Sequence, residues 1–220
     1  MSRGAAIFDL DRTLLAPPSS ERAFFRFLIS GGRVPPLFLL RAALGGLRAL
    51  PEGWVAVTKR NKAMWAGWDS DELSKEARRC FDEVLQRRIY REARGLIAEH
   101  RRRGDLIILL SGTLDVLLDP FAEYFEVDAS VSTRLERSGG RITGRIEGLH
   151  PYGPGKRAVL DHLLAQHGLD AEASTAYADH LSDVGLMSGV GSPVATNPGP
   201  ELARVADRLG WQKLHLTLAA

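Results

Sequence analysis

Short apolar runs alternate with amphipathic segments along most of this chain. Ala5–Phe8 and Leu106–Leu110 are uninterrupted apolar runs, which are typical of strands that are buried on both faces of a sheet. Shorter strand patterns fall at 125–127, 132–136, 141–146, 175–178, 193–195 and 214–216, with helical patterns at 91–103, 114–124, 155–167, 183–190 and 200–209. Strands that alternate with helices predict a mostly parallel, doubly wound α/β sheet. Ser138-Gly139-Gly140 between two of the strands predicts one antiparallel hairpin.

Residues 16–90 carry helical patterns and no strand pattern. The helices are predicted at 21–30, 37–50 and 51–65, and a longer one runs from Asp69 to about Tyr90. Asp69 is followed at the third position by Glu72, the arrangement of a capping box. We therefore expect a helical cap domain over 16–90, inserted after the first strand into a core made of 1–15 and 91–220.

Composition and charge narrow the classes of protein. The 220 residues are 45% hydrophobic, which is enough for a sizeable core, and 29 basic against 27 acidic residues argue against a nucleic-acid partner. Cys80 is the only cysteine, so no internal disulfide is expected. The sequence shows no leader pattern and no uncharged apolar stretch of about 18 residues. These features predict a cytoplasmic protein without a transmembrane segment.

Two carboxylates, Asp9 and Asp11, leave the C-terminal end of the first strand. Open α/β sheets bind their ligands at that edge. Crowded carboxylates repel one another, so such a site favours a cation, and Mg²⁺ is the natural partner of oxygen ligands. Aspartates that only form a turn are the alternative for this stretch alone.

Three later stretches reach the same edge of the predicted sheet. Ser111-Gly112-Thr113 follows the second strand, Lys156 opens a helix after Gly153-Pro154-Gly155, and Asp179 and Asp183 follow strand 175–178. Taken singly, each stretch has a simpler interpretation: Ser111-Gly112-Thr113 as a helix cap, Lys156 as a solvated lysine, and Asp179 and Asp183 as turn residues. Together they supply a nucleophile, a metal site and two phosphate-binding groups at one sheet edge.

The order of these motifs resembles the haloacid dehalogenase superfamily of phosphohydrolases. The first motif, hhhDxDxT, is matched by Ile7–Thr13, and Ser111, Lys156 and Asp179–Asp183 match the later three. The helical insert resembles a C1-type cap. The stretches 132–136, 140–144 and 191–198 are similar to the phosphoserine-phosphatase-like branch, subclass IB.

The resemblance implies a mechanism and a role for each matched residue. Asp9 is the nucleophile that forms an aspartyl-phosphate, and Asp11 is the general acid and base. Mg²⁺ is held by Asp9, the main-chain carbonyl of Asp11 and Asp179, with support from Asp183. Ser111, the backbone at Gly112 and Lys156 bind the phosphoryl group, and Thr13 holds the first loop in shape.

Departures from the family pattern concern the substrate. Pro18 stands where phosphoserine phosphatases carry an acid that reads the substrate ammonium group, and Glu21 is nearby but out of register. Arg60, among other basic residues of the cap, is a candidate for a second anionic group, with a solvated helix face as the alternative. Arg12 replaces a small residue between Asp11 and Thr13, which is tolerable because its side chain can point outward.

The sequence thus predicts a Mg²⁺-dependent phosphatase that acts on a small phosphomonoester. Segment 34–50 is apolar with sparse arginines, so a phospholipid head-group or lysophospholipid phosphatase in peripheral contact with a membrane is an alternative. A phosphomutase uses the same aspartyl-phosphate. An alternative of another class is a non-catalytic binding or regulatory module of the same fold.

Overall fold

The computed structural model describes residues 3–34 and 62–218. Within them, one sheet of seven strands has the order β4-β3-β2-β1-β5-β6-β7, and every neighbouring pair is parallel except β3 and β4. The strands are β1 (Ala5–Phe8), β2 (Leu106–Leu114), β3 (Ala129–Ser138), β4 (Arg141–Glu147), β5 (Thr175–Ala178), β6 (Ser192–Thr196) and β7 (Gln212–Leu214). The mostly parallel α/β sheet and its single hairpin are confirmed.

The central position of β1 follows from its sequence. All four of its side chains are fully buried, and it pairs with β2 on one side and β5 on the other. Successive side chains point to opposite faces of a strand. Phe8 packs in the core on one face of the sheet, and Ile7 packs with Ile108 and Leu160 in the core on the other face. An uninterrupted apolar run is what a strand covered on both faces requires.

The helices surround this sheet. They are α1 (Ser20–Ser30), α2 (Ser70–Cys80), α3 (Ala93–Arg103), α4 (Asp115–Phe125), α5 (Pro154–His167), α6 (Val184–Met187) and α7 (Pro200–Leu209). The Asp69 side chain accepts hydrogen bonds from the amides of Asp71 and Glu72, so the predicted cap of α2 is present. Turns over 81–88 continue α2, in agreement with the long helix predicted there.

Several element boundaries differ from the sequence prediction. The strand predicted at 125–127 is wrong, because Phe125 is buried on the same face of α4 as Phe121. The strand predicted at 132–136 is longer and spans Ala129–Ser138. Strand β2 does not end at Leu110 but runs to Leu114, which pairs with Thr133 after a register shift. The last strand lies at 212–214 rather than 214–216, and helix 183–190 is a short turn at 181–183 followed by α6.

The chain leaves the sheet and returns to it at adjacent points. The Ala16 amide donates to the Arg88 carbonyl over 2.8 Å, and the Tyr90 amide donates to the Leu14 carbonyl over 3.0 Å. These contacts tie together the two ends of the predicted cap segment.

The hairpin of the core also contacts this segment. The Gly67 amide donates to the Ile142 carbonyl, and the Ile142 amide donates to the Trp68 carbonyl. The helix predicted at 37–50, most of the one predicted at 51–65, and Arg60 lie outside the described residues. In the part of the chain that the structure covers, no helix is both long and apolar enough to cross a bilayer.

Candidate active site

The C-terminal ends of β1 and β5 bring two carboxylates together. Asp9 directly follows β1, and its amide donates to the Tyr177 carbonyl over 3.0 Å, which joins the two strand ends. Asp179 directly follows β5, and Asp183 ends the short turn that comes next. Each of these three buried aspartates offers one carboxylate oxygen, and the three oxygens lie within 4.8 Å of one another. The sheet edge predicted from the sequence therefore carries a compact acidic cluster.

Lys156 balances part of this charge. It lies in the first turn of α5, and its buried Nζ is 2.7 Å from Asp9 Oδ1 and 3.0 Å from Asp183 Oδ1. Burial opposes the ammonium charge, but the two carboxylates outweigh it and raise the pKa of Lys156. The lysine therefore stays a cation inside the site.

Two carboxylates of the cluster, those of Asp179 and Asp183, resist ionisation. Burial, followed by the charge of Asp9, raises the pKa of Asp179 to about 7, and burial also raises the pKa of Asp183. Two of the three carboxylates already share one lysine. An all-oxygen set of buried carboxylates fits a hard divalent cation such as Mg²⁺, which would supply the missing positive charge.

Arg12 reaches the cluster from its exposed side. Its Nε is 3.3 Å from Asp179 Oδ2 while half of the side chain is exposed, so Arg12 lies at the surface and still pairs with the cluster. Its backbone is left-handed, with φ 67°. The sequence carried a signal for this contact, because a cation next to Asp11 can balance the crowded carboxylates.

Asp11 is held at the start of α1 and is not one of the three aspartates of the acidic cluster. Its Oδ1 accepts from the Ser20 amide over 2.6 Å, and its Oδ2 accepts from Ser20 Oγ over 3.1 Å. Burial raises the pKa of Asp11 to about 7, although the bonds from Ser20 lower it. The two aspartates of the first motif thus have separate surroundings, one beside Lys156 and one at the start of α1.

Three other predicted residues of the core, Thr13, Ser111 and Gly112, have defined hydrogen bonds. Thr13 Oγ1 donates to Asp9 Oδ2 over 3.5 Å. Ser111 is buried within β2 rather than in a turn, and its Oγ accepts from the Thr113 amide over 3.4 Å. The Gly112 carbonyl accepts from Thr133 Oγ1 over 2.7 Å. Ser111 is thereby linked through Thr113 to Ser20, whose Oγ lies 2.7 Å from Thr113 Oγ1.

Glu21 forms a pair that the sequence did not predict. Both of its carboxylate oxygens accept from Lys62 Nζ at 2.9 Å, and Lys62 is only 3% exposed. Glu21 follows Ser20 and contributes to the raised pKa of Asp11, after burial and the charge of Asp9. Lys62 is one of the basic cap residues considered for a second anionic group, but its pairing with Glu21 was missed because the two residues lie 41 positions apart along the chain.

Comparison with known proteins agrees with this geometry. A model of the haloacid dehalogenase-like hydrolase family matches residues 6–188. This chain belongs to that family and is an enzyme of its phosphatase group.

The relatives extend over nearly the whole chain. The inhibition of morphological differentiation protein of Streptomyces azureus is 30% identical, covering 96% of this chain and 78% of the relative. A histidinol-phosphatase of Neisseria meningitidis is 30% identical over 97% and 99% of the two chains. A phosphoserine phosphatase of Mycobacterium tuberculosis is 30% identical over 94% and 69%. The resemblance to phosphoserine-phosphatase-like proteins is thus confirmed.

A solved structure shares the fold over the same extent. A protein of unknown function from Bordetella pertussis Tohama I is 30% identical, covers 97% of this chain and 99% of its own, and has a TM-score of 0.82. The two chains therefore share one α/β fold over nearly their whole lengths.

Proposed function

We propose that this chain hydrolyses a small phosphomonoester in a Mg²⁺-dependent reaction through an aspartyl-phosphate on Asp9. The observation that carries the proposal is the buried cluster of Asp9, Asp179 and Asp183 joined by Lys156. A carboxylate held beside a buried ammonium at a sheet edge is suited to attack an anionic phosphoryl group, because the ammonium offsets the charge that both partners bring.

The reaction has two steps. In the first, a carboxylate oxygen of Asp9 bonds to phosphorus, the bond to the ester oxygen breaks, and Asp11 gives its proton to the departing alkoxide. In the second, Asp11 takes a proton from water, the water oxygen bonds to phosphorus, and the bond to Asp9 breaks to release inorganic phosphate. The pKa of Asp11, raised to about 7, suits a group that must both give and take a proton near neutral pH.

The remaining residues bind and orient. Lys156, Ser111 and the backbone at Gly112 hold the phosphoryl oxygens, and Thr13 steadies the Asp9 carboxylate. We assign the metal to Asp9, Asp179 and the main-chain carbonyl of Asp11, with Asp183 in support. The bound cation would neutralise charge on the phosphoryl oxygens.

We also propose that Glu21 and Lys62 meet the end of the substrate that carries no phosphate. Lys62 is buried while Glu21 is 29% exposed, so the carboxylate is the side of the pair that a ligand can reach. Two relatives are named for phosphoserine and histidinol phosphate, both of which carry an amine. A phosphomonoester that also carries an ammonium group would suit the partly exposed carboxylate of Glu21.

The proposed function includes a division of the chain into two domains. We propose that 1–15 and 91–220 form the catalytic core and that 16–90 form the cap. The hydrogen bonds between Leu14 and Tyr90 and between Ala16 and Arg88 lie at those two boundaries. A cytoplasmic location and peripheral contact of 34–50 with a membrane stay predictions.

A panel of phosphomonoesters tests the proposal. The purified chain, with and without Mg²⁺, is given phosphoserine, histidinol phosphate, sugar phosphates, glycerol phosphates and lysophosphatidate, with Asp9→Asn as the control. We expect metal-dependent phosphate release that is lost in the variant, with an amine-bearing ester as the best substrate. Release that persists in Asp9→Asn would overturn the role of Asp9. Preference for lysophosphatidate would favour the membrane-surface alternative. If the folded chain binds metal but releases no phosphate from any ester, the result would favour a binding module.

A further inference from the structure

A single residue, Ser20, binds both oxygens of the Asp11 carboxylate. The Ser20 amide donates to Oδ1 over 2.6 Å, and the Ser20 hydroxyl donates to Oδ2 over 3.1 Å. Two donors from one residue fix both the position and the rotation of a carboxylate plane, because each oxygen has its own partner. Asp11 therefore has one defined orientation in this structure.

The place of Ser20 in the fold makes this contact rigid. Ser20 is the first residue of α1, and amides at a helix start have no partner within the helix. Ser19, at the position that usually caps a helix, makes no side-chain cap hydrogen bond. The Asp11 carboxylate takes that role from nine residues away, so the start of α1 and the orientation of Asp11 depend on each other.

A second hydroxyl completes the contact. Ser20 Oγ lies 2.7 Å from Thr113 Oγ1, and both residues are buried. Ser20 has one hydroxyl proton. Because that proton points at the Asp11 carboxylate, Thr113 donates to Ser20. Thr113 therefore holds the Ser20 hydroxyl in the orientation that binds Asp11.

We propose that Ser20 is the positioning residue that aims Asp11 at the departing alcohol, and that Thr113 holds the Ser20 hydroxyl in place. This inference rests on the proposed function, since it assigns how the acid and base of that reaction is oriented. A positioning role and a purely structural role have different consequences. If Ser20 positions Asp11, its loss should slow only the reactions in which the leaving group requires a proton from Asp11.

The experiment compares two leaving groups in single-turnover phosphorylation of Asp9. An alkyl phosphate, which needs a proton on its alkoxide, is set against p-nitrophenyl phosphate, whose phenolate leaves without one. Ser20→Ala is compared with Ser20→Thr, which keeps a hydroxyl, with Thr113→Val, and with Ser19→Ala as the matched control. Asp11→Asn shows how much the rate falls when the acid is removed altogether, and thermal melting checks that each variant is folded.

We expect Ser20→Ala to slow phosphorylation by the alkyl phosphate at least about tenfold, part of the gain that a positioned acid contributes. Phosphorylation by p-nitrophenyl phosphate should stay within about twofold, with KM unchanged for both. Ser20→Thr should recover most of the rate of phosphorylation by the alkyl phosphate. The rate of Thr113→Val should lie between those of Ser20→Ala and wild type, and the rate of Ser19→Ala should equal that of wild type.

Two kinds of result would overturn the assignment. Equal losses on both esters, or an alkyl rate that survives Ser20→Ala in a folded protein, would remove Ser20 from the reaction while leaving the proposed function intact. A wild-type chain that never forms a phosphorylated Asp9 from either ester would overturn the proposed function, and this assignment with it.

Discussion

At the scale of single residues, Lys156 carries the largest expected effect on stability. Its Nζ pairs with Asp9 and Asp183, and all three side chains are less than 10% exposed. We expect Lys156→Met to lower the free energy of unfolding of the metal-free protein by about 3–5 kcal/mol, because two buried carboxylates lose their partner. Mg²⁺ should recover part of the loss, since the cation would balance Asp9.

Urea unfolding with and without Mg²⁺ measures this effect, and Lys213→Met is the matched control. Lys213 pairs with Asp207, but both side chains are exposed, so its removal should cost no more than about 1 kcal/mol. Similar losses in the two variants would contradict the assignment of a buried, charge-balanced site.

The residues that the sequence predicted and those it missed differ in one physical respect. Asp9, Asp179, Asp183 and Lys156 each follow a strand or open a helix, and the edge of a parallel sheet brings such positions together whatever their distance along the chain. The pairing of Lys62 with Glu21 depends on tertiary packing, which no local pattern encodes. The pairing of Arg12 with Asp179 likewise joins residues that are far apart along the chain.

At the scale of elements, the start of α5 depends on a close approach of two backbones. A Cβ built on Gly155 would lie 2.4 Å from the His150 carbonyl oxygen, so Gly155→Ala must move one of the two segments. We expect a loss of about 1–3 kcal/mol in the free energy of unfolding, as for other overpacked sites. Phosphatase activity should fall by more than this loss explains, because the shift displaces Lys156, the next residue.

Gly95→Ala in α3 serves as the control, since a Cβ there meets nothing within 4 Å. In a helix this change should raise stability by about 0.5–1 kcal/mol and leave activity unchanged. Paired thermal melts and activity assays check both variants. A Gly155→Ala protein that is as stable and active as Gly95→Ala would show that the turn before α5 does not position Lys156.

Element boundaries show how far local patterns reach. Asp69 was recognised as a cap because its hydrogen bonds span only two and three residues. The end of β2 was misplaced because pairing of Leu114 with Thr133, on a strand met later in the chain, extends it. The apolar residues of 125–127 fit a strand or a helix end equally, and packing of Phe125 in the core decided between them.

At the scale of the whole molecule, the fold concentrates groups that resist ionisation at one edge of the sheet. The pKa values of Asp11 and Asp179 are both raised to about 7, chiefly by burial, from the usual 3.8. A raised carboxyl pKa favours the protonated folded state, so this contribution to stability is fully present below about pH 4. It is lost as the pH rises through about 7, because the folded protein must then hold charged carboxylates away from water.

The stabilisation by Mg²⁺ should increase as the pH rises, whereas the stability of the metal-free protein falls. The reason is that a cation binds the ionised carboxylates and competes with protons. We expect Mg²⁺ to raise the melting temperature clearly at pH 8 and little at pH 5. At a concentration about 100-fold above its Kd, the gain would be about 2.7 kcal/mol, or roughly 5–10 °C for a chain of this length. Thermal melts at the two pH values, with and without the ion, measure this difference.

Two variants test whether the response to Mg²⁺ and to pH arises from the acidic cluster or from exposed carboxylates elsewhere. Asp179→Asn should abolish the gain from Mg²⁺ and weaken the fall in metal-free stability toward pH 8, because it removes one carboxyl with a raised pKa. Asp161→Asn, which breaks an exposed pair with Arg157, should leave both responses as in wild type. If Mg²⁺ stabilised the protein equally at pH 5 and pH 8, or still stabilised Asp179→Asn, the cation would bind elsewhere. The burial that makes this edge of the sheet costly for ionised carboxylates is therefore the property that would favour the binding of a divalent cation there.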